Sequence, residues 1–138
     1  MFKSGDDFIR IAAEFETDAS LASFGDARVS VWVKSADFEA KNDLWVLGEA
    51  FGAFCQALVG LEVSRKGEAK LISASPGELE LSIKAISAVG AMVVGGVCGY
   101  PVYRPHGSIV HRMEFGFEFD PSQLVGAVAT PWVRRHAV

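Results

Sequence analysis

Along residues 8–15, Ile9, Ile11, Ala13 and Phe15 alternate with Arg10, Ala12 and Glu14, the period of a half-buried strand. The same rhythm returns over 28–35, where Val29, Val31 and Val33 face one way and Arg28, Ser30, Trp32 and Lys34 the other. Phe38–Lys41 continues or restarts that strand across a bend, and Asp43–Val46 reads as a short extended segment. From Leu47 the period lengthens: Leu47, Phe51, Phe54, Cys55, Leu58 and Leu61 follow spacings of three and four, which predicts a helix over about 47–61. Gly48, Gly52 and Gly60 weaken that helix by up to about 1 kcal/mol each where interior, so its apolar stripe needs a large surface to pack on.

Strand patterning resumes at 69–74, breaks at Ser75-Pro76-Gly77, and is cleanest at 78–86, where Leu79, Leu81, Ile83 and Ala85 alternate with Glu78, Glu80, Ser82 and Lys84. A turn at Val89-Gly90 leads into 91–100, apolar on both faces, as a strand covered on both sides would be. "PVYRPHG" (101–107) reads as a loop. The last strand, 109–119, alternates Ile109, His111, Met113, Phe115, Phe117 and Phe119 with Val110, Arg112, Glu114, Gly116 and Glu118. Asp120 is suited to cap a helix, Pro121 to open it and Gln123 to complete a capping box, with Pro131 ending the helix near residue 130. Short turns favour antiparallel pairing. The expected architecture is one α+β domain, 1–138, with an antiparallel sheet of five to seven strands, a main helix over about 47–61 and a shorter helix over about 121–130. No internal repeat is legible in the residues themselves.

Composition narrows the function classes. With 138 residues, half of them hydrophobic and 22% charged, the chain has the make-up of a folded domain. A net charge of −4 argues against a nucleic-acid binder, which would carry a basic stripe. The apolar run 88–100 is too short and too rich in glycine to span a membrane as a helix. No secretion signal is visible, and Cys55 and Cys98 sit apart in apolar surroundings, as buried thiols of a reducing compartment do. The expected location is the cytoplasm.

The residues do not assemble a catalytic motif. Cys55, Cys98, His106, His111 and His136 lack metal-ligand spacing, and no nucleophile elbow or phosphate loop is present. Glu78 with Glu80, and Glu114 with Glu118 and Asp120, fit a solvated sheet face. His111 shares the phase of the phenylalanines and is expected at the start of the core-facing side, partly covered and structural. Trp32 lies on the polar phase of its strand; it is either a partner anchor or covered by a helix or by loop 16–26, whose Leu21 and Phe24 need somewhere to pack.

The order of "VSVWVKSADF", "LGEAFGAFCQALVGL", "GEAKLISASPGELELSIKAI" and "HRMEFGFEFDPSQL", over about residues 28–130, resembles a group of small bacterial α+β proteins, some of them similar to immunity proteins encoded beside polymorphic toxins. The resemblance implies a small cytoplasmic, non-catalytic protein that binds and neutralises a cognate toxin, and it transfers no functional residue; no cofactor or metal is expected from the residues themselves. Alternation itself selects the candidate contact residues: Trp32, Glu80, Arg112, Glu114 and Glu118, all turned from the core. A small-ligand module with a pocket between sheet and helix, and an enzyme assembled from scattered residues, are the rival readings.

Overall fold

The computed structural model describes residues 1–87 and 90–137, and the turn expected at Val89 lies outside them. The chain writes one element series twice. Strands β1 (Phe2–Ser4), β2 (Asp7–Phe15), β3 (Ala27–Ser35) and β4 (Phe38–Val46) lead to helix α1 (Gly48–Ser64). Strands β5 (Glu68–Ile72), β6 (Leu79–Ala85), β7 (Met92–Arg104) and β8 (Gly107–Phe119) then lead to α2 (Gln123–Ala129) and α3 (Pro131–His136). Each set of four strands forms its own antiparallel sheet, in the order of the chain. The fold is therefore α+β and antiparallel as expected, but the strands divide into two four-stranded sheets, not one sheet of five to seven. Alternation marks strands without saying which of them pair, and α1 separates the two meanders.

The two inner faces and the helices share one core. Val29, Val31 and Val33 of β3, Leu79, Leu81 and Ile83 of β6, and Phe115, Phe117 and Phe119 of β8 join the α1 stripe Phe51, Phe54, Cys55, Leu58 and Leu61. Helix α1 has no side-chain cap from Leu47; instead Asp26 Oδ1 accepts the Gly48 N–H at 2.8 Å. A side chain at Gly48 would run into the Gly25 carbonyl, so this glycine permits the close approach of loop and helix. At the other end Arg65 takes a left-handed φ of 58° and donates its N–H to Leu61 O.

The carboxy-terminal segment departs from expectation. Two short helices replace one over 121–130, because Pro131, which lacks the N–H a helix interior needs, stands at the first turn of a new helix. Asp120 is not the N-cap and Pro121 does not open the helix: α2 starts at Gln123 after Ser122, without a side-chain cap, and Asp120 Oδ1 accepts the Ser122 N–H at 2.9 Å in the turn ahead of it. Gln123 completes no capping box: its amide accepts from Lys3 N–H (2.9 Å) and donates to Lys3 O (2.7 Å), closing the edge of β1 like a short extra strand. Strand β1, too short to show a period, is also held by Phe2 stacked on Phe119, ring centroids 4.2 Å apart.

"PVYRPHG" is not a loop. The β7–β8 pairing runs without interruption from Met92↔Phe119 to Arg104↔Gly107, leaving only Pro105 and His106 as the turn. Pro101 fits inside a strand because β6 pairs with β7 only as far as Cys98 and the Gly99 N–H already points to that side, onto Glu78 O. The N–H that Pro101 lacks would face the same side, two residues beyond Gly99 and past the end of β6. Further in, Gly96 has a φ of 147° and lies so close to the Glu80 carbonyl that no Cβ fits.

Candidate partner-binding surfaces

Four of the five candidate residues share one face. Register aligns Ile72, Glu80, Val97 and Glu114 across the second sheet, and Glu68, Lys84, Val93 and Glu118 in a parallel row. Arg112, opposite Gly99, belongs to the same outward phase, and its guanidinium lies against Gly77 of the Ser75–Gly77 turn. Glu80, Arg112, Glu114 and Glu118 are all exposed. Lys70 and Glu68 form an exposed ion pair of 3.9 Å at the rim of this face, and such a pair is worth little in water.

Trp32 stands apart, on the outer face of the first sheet. Arg10, Trp32 and Lys41 form one row across β2, β3 and β4. The indole N–H donates to Glu39 Oε1 at 2.7 Å, the Lys41 ammonium lies 4.2 Å and the Arg10 guanidinium 4.9 Å from the ring centroid, and Phe8 meets the ring edge-on at 5.1 Å. Cross-strand neighbours therefore half-bury the tryptophan, each cation gaining from the π-face. Loop 16–26 does not cover it: Leu21 and Phe24 are themselves exposed. A shallow groove of about 610 Å³ runs beside this row, lined among others by Arg10, Trp32, Lys41, Asn42, Asp43 and Tyr100.

Between the two faces the β7–β8 hairpin leaves the body of the protein. Asn42 Nδ2 donates to Gly99 O at 2.7 Å where it departs. Beyond that point the inner phase of the ladder continues as Tyr100, Val102, Ile109 and His111, with Met113 at the boundary. His111, expected to be partly covered, is exposed, because no helix or second sheet reaches that far. Its neighbour is the Tyr100 ring, 6.1 Å away. Tyr103 is 79% exposed, and Ile109 and Val110 are each 55% exposed. From Leu81 to Met113 the chain carries no aspartate or glutamate, while Arg104, His106, His111 and Arg112 cluster on the hairpin. A protein of net charge −4 thus presents a cationic, partly apolar arm. Sequence reading passed over it because "PVYRPHG" carries turn residues; the missing acids were the available signal.

Elsewhere the reactive groups are put away. Cys55 and Cys98 are buried and unbonded to each other, and burial pushes their thiols up to about 12 and about 11, Glu78 adding to the rise at Cys98. His136 stacks on Phe15 at 3.9 Å and bonds the Trp132 carbonyl through Nδ1. Among the described residues no three of His, Cys, Asp and Glu converge as a metal ion would require, and no helix is long and apolar enough to cross a membrane. Comparison with protein-family models, curated proteins and solved structures finds no match to this chain.

Proposed function

We propose that this is a non-catalytic bacterial binding protein of the immunity type, cytoplasmic, which binds a cognate toxin and blocks it. The observation that carries the reading is the β7–β8 arm. Its core-facing phase runs on into solvent as Tyr100, Val102 and Ile109, and Tyr103 and Val110 stand out on the opposite side. An exposed apolar surface rimmed by charge is what a protein interface requires, and tyrosine and arginine are its commonest anchors. The acidic row of Glu80, Glu114 and Glu118 adjoins the arm and supplies the charge that steers a partner's approach.

The test is titration against the product of the gene beside its own, with circular dichroism to confirm folding. Tyr103→Ala should weaken binding by about thirtyfold, the effect of losing an anchor worth about 2 kcal/mol. Glu80→Ala, Glu114→Ala and Glu118→Ala should slow association and flatten its salt dependence. Wild-type affinity in all four variants would remove this face, and absence of binding by the unaltered protein would remove that pairing. A second reading, a small anionic ligand in the groove beside Trp32, rests on the cations Arg10 and Lys41 that flank the ring. Loss of ligand binding in Trp32→Ala with toxin binding intact would separate the two.

A further inference from the structure

Strand β8 is an edge of the second sheet. Where it passes the end of β3, one hydroxyl closes that edge: Ser35 Oγ donates to Gly116 O at 3.1 Å and accepts the Gly116 N–H at 3.3 Å. Gly116 thereby shows which residues turn their backbone groups away from β7. Strands repeat every second residue, so Ser108, Val110, Arg112 and Glu114 do the same. Among the described residues none of these has a hydrogen-bond partner on that side for its N–H or C=O. Edge strands are normally blunted by proline, by a bulge or by charged side chains, lysine above all, and here the charged side chains are Arg112 and Glu114. Residues 108–114 contain no proline and no lysine, and their pairing with β7 has no break in register. The edge is open from the turn of the hairpin to the Ser35 hydroxyl.

We infer that this edge receives an extended, acidic segment of the partner protein, which adds as a strand along Ser108–Glu114. This assignment rests on the partner-binding reading above and gives it a mode. A strand ladder would satisfy the outward backbone groups, with Ile109 and Val110 giving apolar contact on its two faces. Charge chooses the occupant. The edge carries His111 and Arg112, Arg104 and His106 flank it at the turn, and its one acid, Glu114, stands at the inner end of the window. A second copy of this chain fits badly, since antiparallel self-pairing over this window centres on His111. It would set His111 against its counterpart, Arg112 against Val110 and Glu114 against Ser108, with the two Arg112 side chains on a diagonal, so no pair of opposite charges would meet across the strands. A nucleic acid offers negative charge but cannot extend a ladder of N–H and C=O groups.

Amide NMR of the full chain tests the assignment. The probes are a nine-residue peptide alternating valine and glutamate, its valine–lysine counterpart, and an oligothymidylate of equal charge. The acidic peptide should shift the amide signals of Ser108, Val110, Arg112 and Glu114 and slow their exchange with solvent, and the other two probes should not. Val110→Pro removes an outward N–H at an edge position and should weaken the acidic peptide about tenfold, the equivalent of one ladder bond. Arg112→Glu, which leaves the backbone untouched, should transfer the preference to the lysine peptide. Silence of these amides with the acidic peptide overturns the proposal. So does an equal response to the oligothymidylate, or slow exchange of these amides in a dimer of the protein alone. If the neighbouring gene's product binds wild type, Val110→Pro and Arg112→Glu alike, the edge assignment falls and the partner reading stands. If that product never binds but the acidic peptide does, the edge assignment stands and the pairing falls.

Discussion

The inner and outer ends of the β7–β8 ladder are built from the same two strands, with one uninterrupted register and one alternation of sides. At the inner end the core-facing phase is Met92, Val94, Phe115, Phe117 and Phe119, and all of it is buried. At the outer end the same phase is Tyr100, Val102, Ile109 and His111, and most of it faces water. Nothing in the strands changes between the two ends. What changes is the layer above them, since the first sheet and the helices cover one end and stop before the other. Periodicity dictates the direction in which a side chain points. Whether anything lies in that direction belongs to the rest of the chain.

Substitutions matched between the ends can break this comparison. The largest difference is expected between two glycines with positive φ, Gly96 and Gly107. Gly96→Ala drives a methyl group into the Glu80 carbonyl and should cost about 4 kcal/mol or prevent folding. Gly107→Ala meets no neighbour within 4 Å and should cost about 1–3 kcal/mol through its backbone alone. Equal effects in chemical denaturation would mean that β6 does not approach β7 as described. Next, Phe117→Ala should lose about 3–5 kcal/mol, whereas Ile109→Ala, in the same phase of the same strand, should stay within about 0.5 kcal/mol. A large loss at Ile109 would show that the arm packs against the body.

The thiols give a pH-dependent version of the same contrast. Cys98, at the buried end, is held at about 11 and Cys55 at about 12, above the ordinary 9.0. Below pH 9 both thiols are protonated in the folded and unfolded chain alike. Above it the unfolded chain sheds these protons first, so stability falls as pH rises from 9 towards 11–12, by at most about 1.4 kcal/mol per thiol per pH unit. Cys98→Ala should flatten the decline of the denaturant midpoint over that range, and neither thiol should react with a thiol reagent at pH 8 before unfolding. The smallest effect is expected at the exposed end, where His111→Gln should leave the melting temperature unchanged; a clear drop would restore a structural role to this histidine.

Elements with one solvated face were legible in the sequence. Strands β3 and β6 declare themselves because Val29, Val31 and Val33 alternate with Arg28, Ser30, Trp32 and Lys34, and Leu79, Leu81 and Ile83 with Glu78, Glu80, Ser82 and Lys84. Helix α1 is legible through the spacing of Phe51, Phe54, Cys55, Leu58 and Leu61. Glu80, Arg112, Glu114 and Glu118 stand on exposed positions because alternation needs no knowledge of neighbours to turn them outward. Features that depend on distant partners were not legible. The cover of Trp32 comes from Arg10 and Lys41, residues of other strands, and only the register brings them together. The division into two sheets, and the role of Gln123 at the edge of β1, likewise follow from meetings between remote segments. In the sequence Pro101 and Pro131 have the form of interruptions, yet each sits where its missing N–H has no bond to break.

The doubled meander also bears on how the chain reaches this structure. Every strand pairs only with its neighbour in the chain, so both sheets can zip up through short loop closures, the cheapest kind in entropy. The long closures are those that join the two halves of the chain: Ser35 to Gly116, between the sheets, spans 81 residues, and Lys3 to Gln123, from β1 to α2, spans 120. During synthesis the first meander can pair all of its strands before β5 has left the ribosome, with Val29, Val31 and Val33 still uncovered on its inner face. Docking of the second meander is then the late event, and a nascent chain halted before β8 is the form most exposed to aggregation.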